Sequence, residues 1–243
     1  MITFTHRQRQ GFFWLGFLSS GAALLSLSDI GGDWTQSGWG NLEMSIAGPI
    51  IALRTPALTE VMKAFTFLGS LNFLVVLGAL AVAFSWPPRS VRDKVAFVTL
   101  GIGSGIVNSG LKAWFGRPRP GLDYNPLVAE PYWSFPSGHS MSSFCFYFFL
   151  AYLAMLPMRT RRARVLTMLS AFTLVSLIGL SRIYLAAHYP GDVIGGFAAA
   201  WPCLWTAIAI HVRLLRSAPD SEPSSPGASA SLSKSSSGCR PDE

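Results

Sequence analysis

Lys112-Ala-Trp-Phe-Gly-Arg117-Pro-Arg119-Pro120, then Pro136-Ser137-Gly138-His139, then Ser181-Arg182-Ile-Tyr-Leu-Ala-Ala-His188-Tyr-Pro-Gly-Asp192: these three polar clusters, separated by apolar segments, lie within one stretch. Together they hold several cations, two histidines, a serine and a carboxylate. That inventory suits a phosphoryl group. Arginine and lysine neutralise its oxygens, and backbone N–H groups at helix starts add donors. One histidine can attack phosphorus while another protonates a leaving oxygen.

The rest of the chain says where such a site sits. Half of the 243 residues are hydrophobic and only 13% are charged, with a mean hydropathy of +0.39. Soluble domains carry about twice that share of charge. The balance points to an integral membrane protein. The net charge of +7 does not point to nucleic acid, because the cations fall in short clusters between apolar runs, as in membrane topology. Cys145, Cys203 and Cys239 do not form a disulfide framework.

Six apolar stretches predict six helices, at about 11–28, 58–86, 95–115, 137–156, 165–184 and 190–211. Each is about 20 residues long, enough to cross the hydrocarbon core. The first is read as a retained helix rather than a cleaved signal peptide. Residues 28–57, with tryptophans suited to the membrane–water interface, read either as an external loop carrying a short surface helix or as a plain connector. Gly101, Gly103, Gly105 and Gly110 are expected to allow close helix packing. The loop 116–135 carries four prolines and cannot be one helix.

Thirteen of the 19 basic residues fall on the side of the termini and six on the other. The positive-inside rule then makes the termini cytoplasmic and turns all three polar clusters outward. Residues 1–216 form the membrane-embedded domain. Residues 217–243 lack the apolar content to fold and read as a disordered cytoplasmic tail.

The clusters fit the pattern K-x6-R-P, P-S-G-H, S-R-x5-H-x3-D in order and without substitution. On these motifs the chain resembles the type 2 phosphatidic acid phosphatase (PAP2) superfamily, over roughly residues 58–212. The resemblance implies an all-α polytopic membrane phosphatase that needs no metal or other cofactor. His188 would be the nucleophile that forms a phosphohistidine, His139 the general acid, and Asp192 the group that orients His188. Lys112, Arg119, Ser137, Gly138 and Arg182 would bind the phosphate, with Arg117 as an outer contact.

Independently of family, Asp192 follows His188 by four residues across Pro190 and Gly191. Proline is favoured at the first helical position, which puts Asp192 in a first turn. From there it can hold one imidazole nitrogen and leave the other free. Other polar residues take plainer readings. His6 and His211 are expected at the interface, and Arg54 and Lys63 as snorkelling anchors. The aromatic run 144–149 is lipid contact or packing, and Asn108, Ser142 and Ser143 receive no role.

The leading function is removal of a terminal phosphate from a lipid phosphate or diphosphate in the bacterial inner membrane, at its periplasmic or outer face. Candidate lipids are undecaprenyl diphosphate, phosphatidylglycerophosphate, phosphatidate and lipid A 1-phosphate. The expected partners are this lipid and the bilayer, not nucleic acid; the oligomeric state is left open. A lipid phosphotransferase, or a non-catalytic lipid-binding or transport protein, would use the same pocket.

Overall fold

A computed structural model describes residues 14–16, 18–23, 25 and 37–216, apart from 86, 88, 89, 122, 123, 129 and 132. Eight of the 18 residues of the first predicted helix, and the whole of the tail at 217–243, lie outside the described residues. Among the described residues seven helices follow residue 36: α1 (Ser37–Ala52), α2 (Pro56–Leu68), α3 (Leu71–Phe84), α4 (Val91–Phe115), α5 (Gly138–Met155), α6 (Arg161–Tyr184) and α7 (Pro190–Arg216). Among the described residues there is no strand.

Local chemistry sets the helix ends. Thr55, Ser70, Ser90, Ser137 and Thr160 each accept a backbone N–H at a helix start, relieving donors that have no intrahelical partner. Ser90 and Asp93 do so reciprocally, as a capping box. Gly116 closes α4 at φ 56°, in the left-handed region that glycine enters without strain.

Several predicted boundaries move. The single span expected at 58–86 is two helices, α2 and α3, meeting at 53°. Ser70 causes the break, since it caps α3 while Gly69 ends α2. Helix α6 begins four residues earlier than the expected 165, because Thr160 caps it. Arg161, Arg162 and Arg164 therefore lie inside the helix rather than in a loop. Residues 37–52, read as loop, surface helix or connector, form a helix that packs on α6 and α7.

Among the described residues three helices, α4, α6 and α7, are long and apolar enough to cross a membrane, and α2 with α3 makes a fourth if the bent pair is one span. Their outer faces expose Val98, Ile102 and Ile106 on α4, Leu166, Leu169 and Phe172 on α6, and Val75, Val76 and Leu80 on α3. Such a belt suits hydrocarbon and not water. Helix α5 is the central helix, contacting α3, α4, α6 and α7. Its Met141, Cys145 and Phe149 are almost wholly buried.

The glycines that permit close approach are not those on α4. A Cβ at Gly101, Gly103, Gly105 or Gly110 would meet nothing within 4 Å. At Gly196 of α7 it would stand 2.8 Å from both the Ser137 carbonyl oxygen and Ser140 Cβ. At Gly179 of α6 it would stand 2.8 Å from Val193 Cγ1. Both of these glycines lie beside the polar clusters, where α5, α6 and α7 converge.

His211 is also not interfacial. It is fully buried, with Nε2 2.7 Å from Asp93 Oδ1 and Nδ1 3.1 Å from Tyr152 Oη. It ties the ends of α4, α5 and α7 remote from the clusters. Arg54 is no free anchor either, because it donates to the carbonyls of Tyr184 and Asn125. Lys63 pairs with Glu60 on an exposed face.

Gly196→Ala is expected to destabilise the protein by about 1–3 kcal/mol through overpacking, whereas Gly103→Ala should cause no loss. Thermal unfolding of the two variants in one detergent checks this, and equal behaviour would contradict the packing described.

Candidate active site

The four helix ends that carry the clusters come together because neighbouring helices run in opposite directions. Helices α4 and α6 finish with Lys112 and Arg182 in their last turns, while α5 and α7 begin with Ser137–His139 and Asp192. One backbone bond locks two of these ends, with Ser137 N donating to the Asp192 carbonyl at 2.9 Å.

Asp192 lies in the first turn of α7 and is fully buried. Its Oδ1 accepts from Arg117 Nη1 at 2.8 Å. Its Oδ2 accepts from Ser134 Oγ and, at 2.9 Å, from Tyr189 N. The same oxygen stands 3.2 Å from His188 Nδ1. Arg117 also grips Glu43 of α1 through Nη2, and Glu43 in turn accepts from Gly191 N at 3.2 Å. The Tyr189 ring lies 4.2 Å below the Arg117 guanidinium. Against its burial, the charge of Asp192 and the hydrogen bond to Glu43 hold Arg117 above its ordinary pKa.

His188 sits in the five-residue turn between α6 and α7 and is 2% exposed. With Nδ1 beside a carboxylate, the ring proton belongs on Nδ1. Nε2 then carries the lone pair. Its neighbour agrees, since Arg119 Nη1, a donor only, stands 3.2 Å from it. Burial pushes the imidazole down from 6.5 to about 4, overcoming the hydrogen bond and charge of Asp192. The ring is therefore neutral at neutral pH.

The cations gather on the Nε2 side. Arg119 is held by the carbonyls of Ala187 at 2.9 Å and Pro131 at 3.3 Å. Arg182 is 1% exposed, with Nη1 on Thr66 Oγ1 and Nη2 on Glu130 Oε1. His139 lies on the first turn of α5, with Nδ1 3.9 Å from Glu130 Oε1. Lys112 donates to the carbonyls of Trp133 at 2.6 Å and Ser134 at 3.3 Å. It is thus tied to the loop backbone at the edge of the group.

Ser137 is placed differently from the expectation of a phosphate ligand. Its side chain is fully buried and caps α5, accepting from Ser140 N and Ser140 Oγ. Gly138 opens the helix, where the first N–H groups have no intrahelical acceptor. A Cβ there would press on Asn108 Oδ1 at 3.3 Å. Arg117, expected only as an outer contact, proves to be a buried partner of Asp192.

Three residues beyond the motifs complete the group: Glu43, Ser134 and Glu130. Glu43 left one legible trace, as the only acid between Asp33 and Glu60, in a segment rich in apolar residues. Nothing in the sequence singles out Ser134 or Glu130.

The family model described as the PAP2 superfamily matches residues 94–216. The chain belongs to the PAP2 superfamily. It is 35% identical over 155 residues to phosphatidylglycerophosphatase B of Bacillus subtilis (strain 168), covering 63% of this chain and 75% of that protein. It is 36% identical over 157 residues to lipid A 1-phosphatase of Rhizobium etli, covering 60% of each. Among solved structures, the transmembrane PAP2-type phosphatidylglycerolphosphate phosphatase from Bacillus subtilis superposes with a TM-score of 0.74. The identity is 28%, over 81% of this chain and 97% of that one. Aquifex aeolicus LpxE gives a TM-score of 0.55 and 25% identity, over 69% and 95%. This PAP2 chain is thus a membrane protein of the lipid phosphatase family and a phosphate ester hydrolase by descent.

Two outcomes are expected. The His188 ring should stay neutral down to about pH 5.5, well below where an ordinary histidine takes its proton. Imidazole nitrogen shifts in the labelled protein check this, and titration near 6.5 would contradict it. Glu43→Ala should cost about 3–5 kcal/mol by leaving Arg117 short of a buried partner, measured by chemical unfolding in detergent.

Proposed function

We propose that this PAP2 protein removes a terminal phosphate from a membrane lipid phosphate or diphosphate through a phosphohistidine at His188. The observation that carries the reading is the division of the His188 ring. Asp192 and Ser134 take Nδ1, and Nε2 faces Arg119 on the side where Arg182 and His139 gather.

In this mechanism Arg119, Arg182, the N–H groups at the start of α5 and, at the edge, Lys112 hold the non-bridging oxygens. His188 Nε2 attacks phosphorus. The bond from phosphorus to the lipid-side oxygen breaks, and protonated His139 delivers its proton to that oxygen. Asp192 stabilises the positive charge that His188 acquires. Water then attacks the phosphohistidine, His139 takes its proton, and inorganic phosphate leaves. The guanidinium groups and the helix start do the charge stabilisation, so the reading assigns no metal. Ser137 acts as the cap that aims the helix start rather than as a direct ligand.

For the membrane, we propose six spans in residues 1–216, with α2 and α3 together forming one of them and α1 lying beside the site. The excess of basic residues on the side of the termini supports an outward-facing site. The names of the relatives, phosphatidylglycerophosphatase B and lipid A 1-phosphatase, support phosphatidylglycerophosphate and lipid A 1-phosphate as candidate substrates, beside undecaprenyl diphosphate and phosphatidate.

The test is phosphate release by purified protein in mixed micelles containing EDTA, across these four lipids. Strong release from one of them is expected to identify the substrate class and the metal-free chemistry together. Release abolished by EDTA would remove the metal-free mechanism, and no release from any would remove the phosphatase reading in favour of phosphotransfer or lipid binding. His188→Ala should abolish turnover in a folded protein, and Asp192→Asn should lower kcat by about 10²-fold or more.

A further inference from the structure

We propose that Glu130 is a specificity-determining residue: a resident anion, seated where the phosphoryl group binds, which a dianionic phosphomonoester displaces and a monoanionic phosphodiester does not. The proposal rests on the phosphatase reading of the site.

One carboxylate meets the residues assigned to the substrate. Glu130 Oε1 pairs with Arg182 Nη2 and stands 3.9 Å from His139 Nδ1. Its Oε2 stands 3.2 Å from Arg119 Nη2 and 3.9 Å from His188 Nε2. The carboxylate thus lies between the proposed nucleophile and the proposed acid, with a guanidinium on each oxygen. Asp192 is committed to Arg117, Ser134 and Tyr189 N on the other side of His188 and takes no part in this.

The occupant is removable. Arg182 is 1% exposed, whereas the Glu130 side chain is 24% exposed. Glu130 belongs to a proline-bearing connector, not to a helix, so it enters from the open side of the group. Its carboxylate also leaves donor capacity behind. Buried Arg182 Nε has no partner among the described residues, and a phosphoryl group brings one more oxygen than a carboxylate.

Charge then decides what can replace it. A phosphomonoester carries nearly two negative charges near neutral pH, its second pKa being about 6. A phosphodiester carries one. Exchanging Glu130 for a diester trades one monoanion for another and forfeits the ion pairs already made. Exchanging it for a monoester or terminal diphosphate gains attraction to Arg119, Arg182 and Lys112. A bilayer presents diester headgroups in large excess, so a site of bare cations would be held by them. Discrimination here works by a competing internal contact rather than by a better external one.

The experiment uses the full chain in detergent. Calorimetry measures binding of inorganic phosphate and of dimethyl phosphate, a monoanionic diester. The unsubstituted protein is expected to prefer inorganic phosphate. In Glu130→Gln the affinity for dimethyl phosphate should rise about tenfold or more. Glu130→Asp, which keeps the charge, should leave the affinity for dimethyl phosphate low. An unchanged affinity for dimethyl phosphate in Glu130→Gln, while the unsubstituted protein releases phosphate from lipid, would overturn the role of Glu130 alone. Failure of the unsubstituted protein to bind inorganic phosphate at all would overturn the phosphatase reading and this proposal together. A second measurement needs no variant: phosphate binding should raise hydrogen exchange in residues 124–134 as Glu130 leaves Arg182. Unchanged or slower exchange there would also overturn the proposal.

Discussion

The buried chain from Glu43 through Arg117 to Asp192 is the constraint on which the rest of the site depends. A carboxylate as deeply buried as Asp192 is costly unless it is paired and hydrogen-bonded. Arg117 supplies the pair, and Ser134 and Tyr189 N supply the hydrogen bonds. The same guanidinium reaches Glu43, which accepts from Gly191 at the start of α7. Three segments far apart in sequence, α1, the loop after α4 and the first turn of α7, are held in register by one cation. His188 is aimed because Asp192 has nowhere else to go.

The electrostatic layout divides at the His188 ring. On the Nδ1 side, two carboxylates outnumber one guanidinium. On the Nε2 side, Arg119, Arg182 and Lys112 outnumber Glu130. A neutral imidazole between these regions suits the proposed attack from the cationic side, with Asp192 behind it to stabilise the charge it would gain and the cations ahead to hold an electrophile. Burial keeps the ring unprotonated at neutral pH. Glu130 fits the same layout. Burial by itself would raise its pKa, but the charges of Arg182 and Arg119 hold it below the usual carboxylate range. It stays an anion and keeps its place.

The helices serve this arrangement by delivering ends. Helix α5 is packed on several sides, so its start is held by neighbours rather than by lipid. Gly196 and Gly179 let α7 approach it and α6 closely enough for Ser137 to bond the Asp192 carbonyl. At the other end, the Asp93–His211–Tyr152 contact ties α4, α5 and α7. The same helices are thus pinned at both ends, with apolar faces left for the bilayer between.

Much of this was determined by the sequence alone. Apolar runs of membrane length, with cations concentrated between them, specify an all-helical membrane protein, because hydrocarbon tolerates little else. Motif spacing placed His139, His188, Arg119, Arg182, Lys112 and Asp192 at helix ends, since proline at 190 and serine at 137 mark helix starts by local chemistry. What only the tertiary structure decided are the contacts that local chemistry does not encode. Ser70 breaks a run that reads as one span. The glycines in contact are those at 179 and 196, because periodicity does not say which face meets a neighbour. His211 is buried because Asp93, 118 residues earlier, stands opposite it. Glu43, Ser134 and Glu130 enter the site for the same reason. Each lies on a segment with no motif, and each acquires its role only when folding sets its oxygen against a cation or an imidazole.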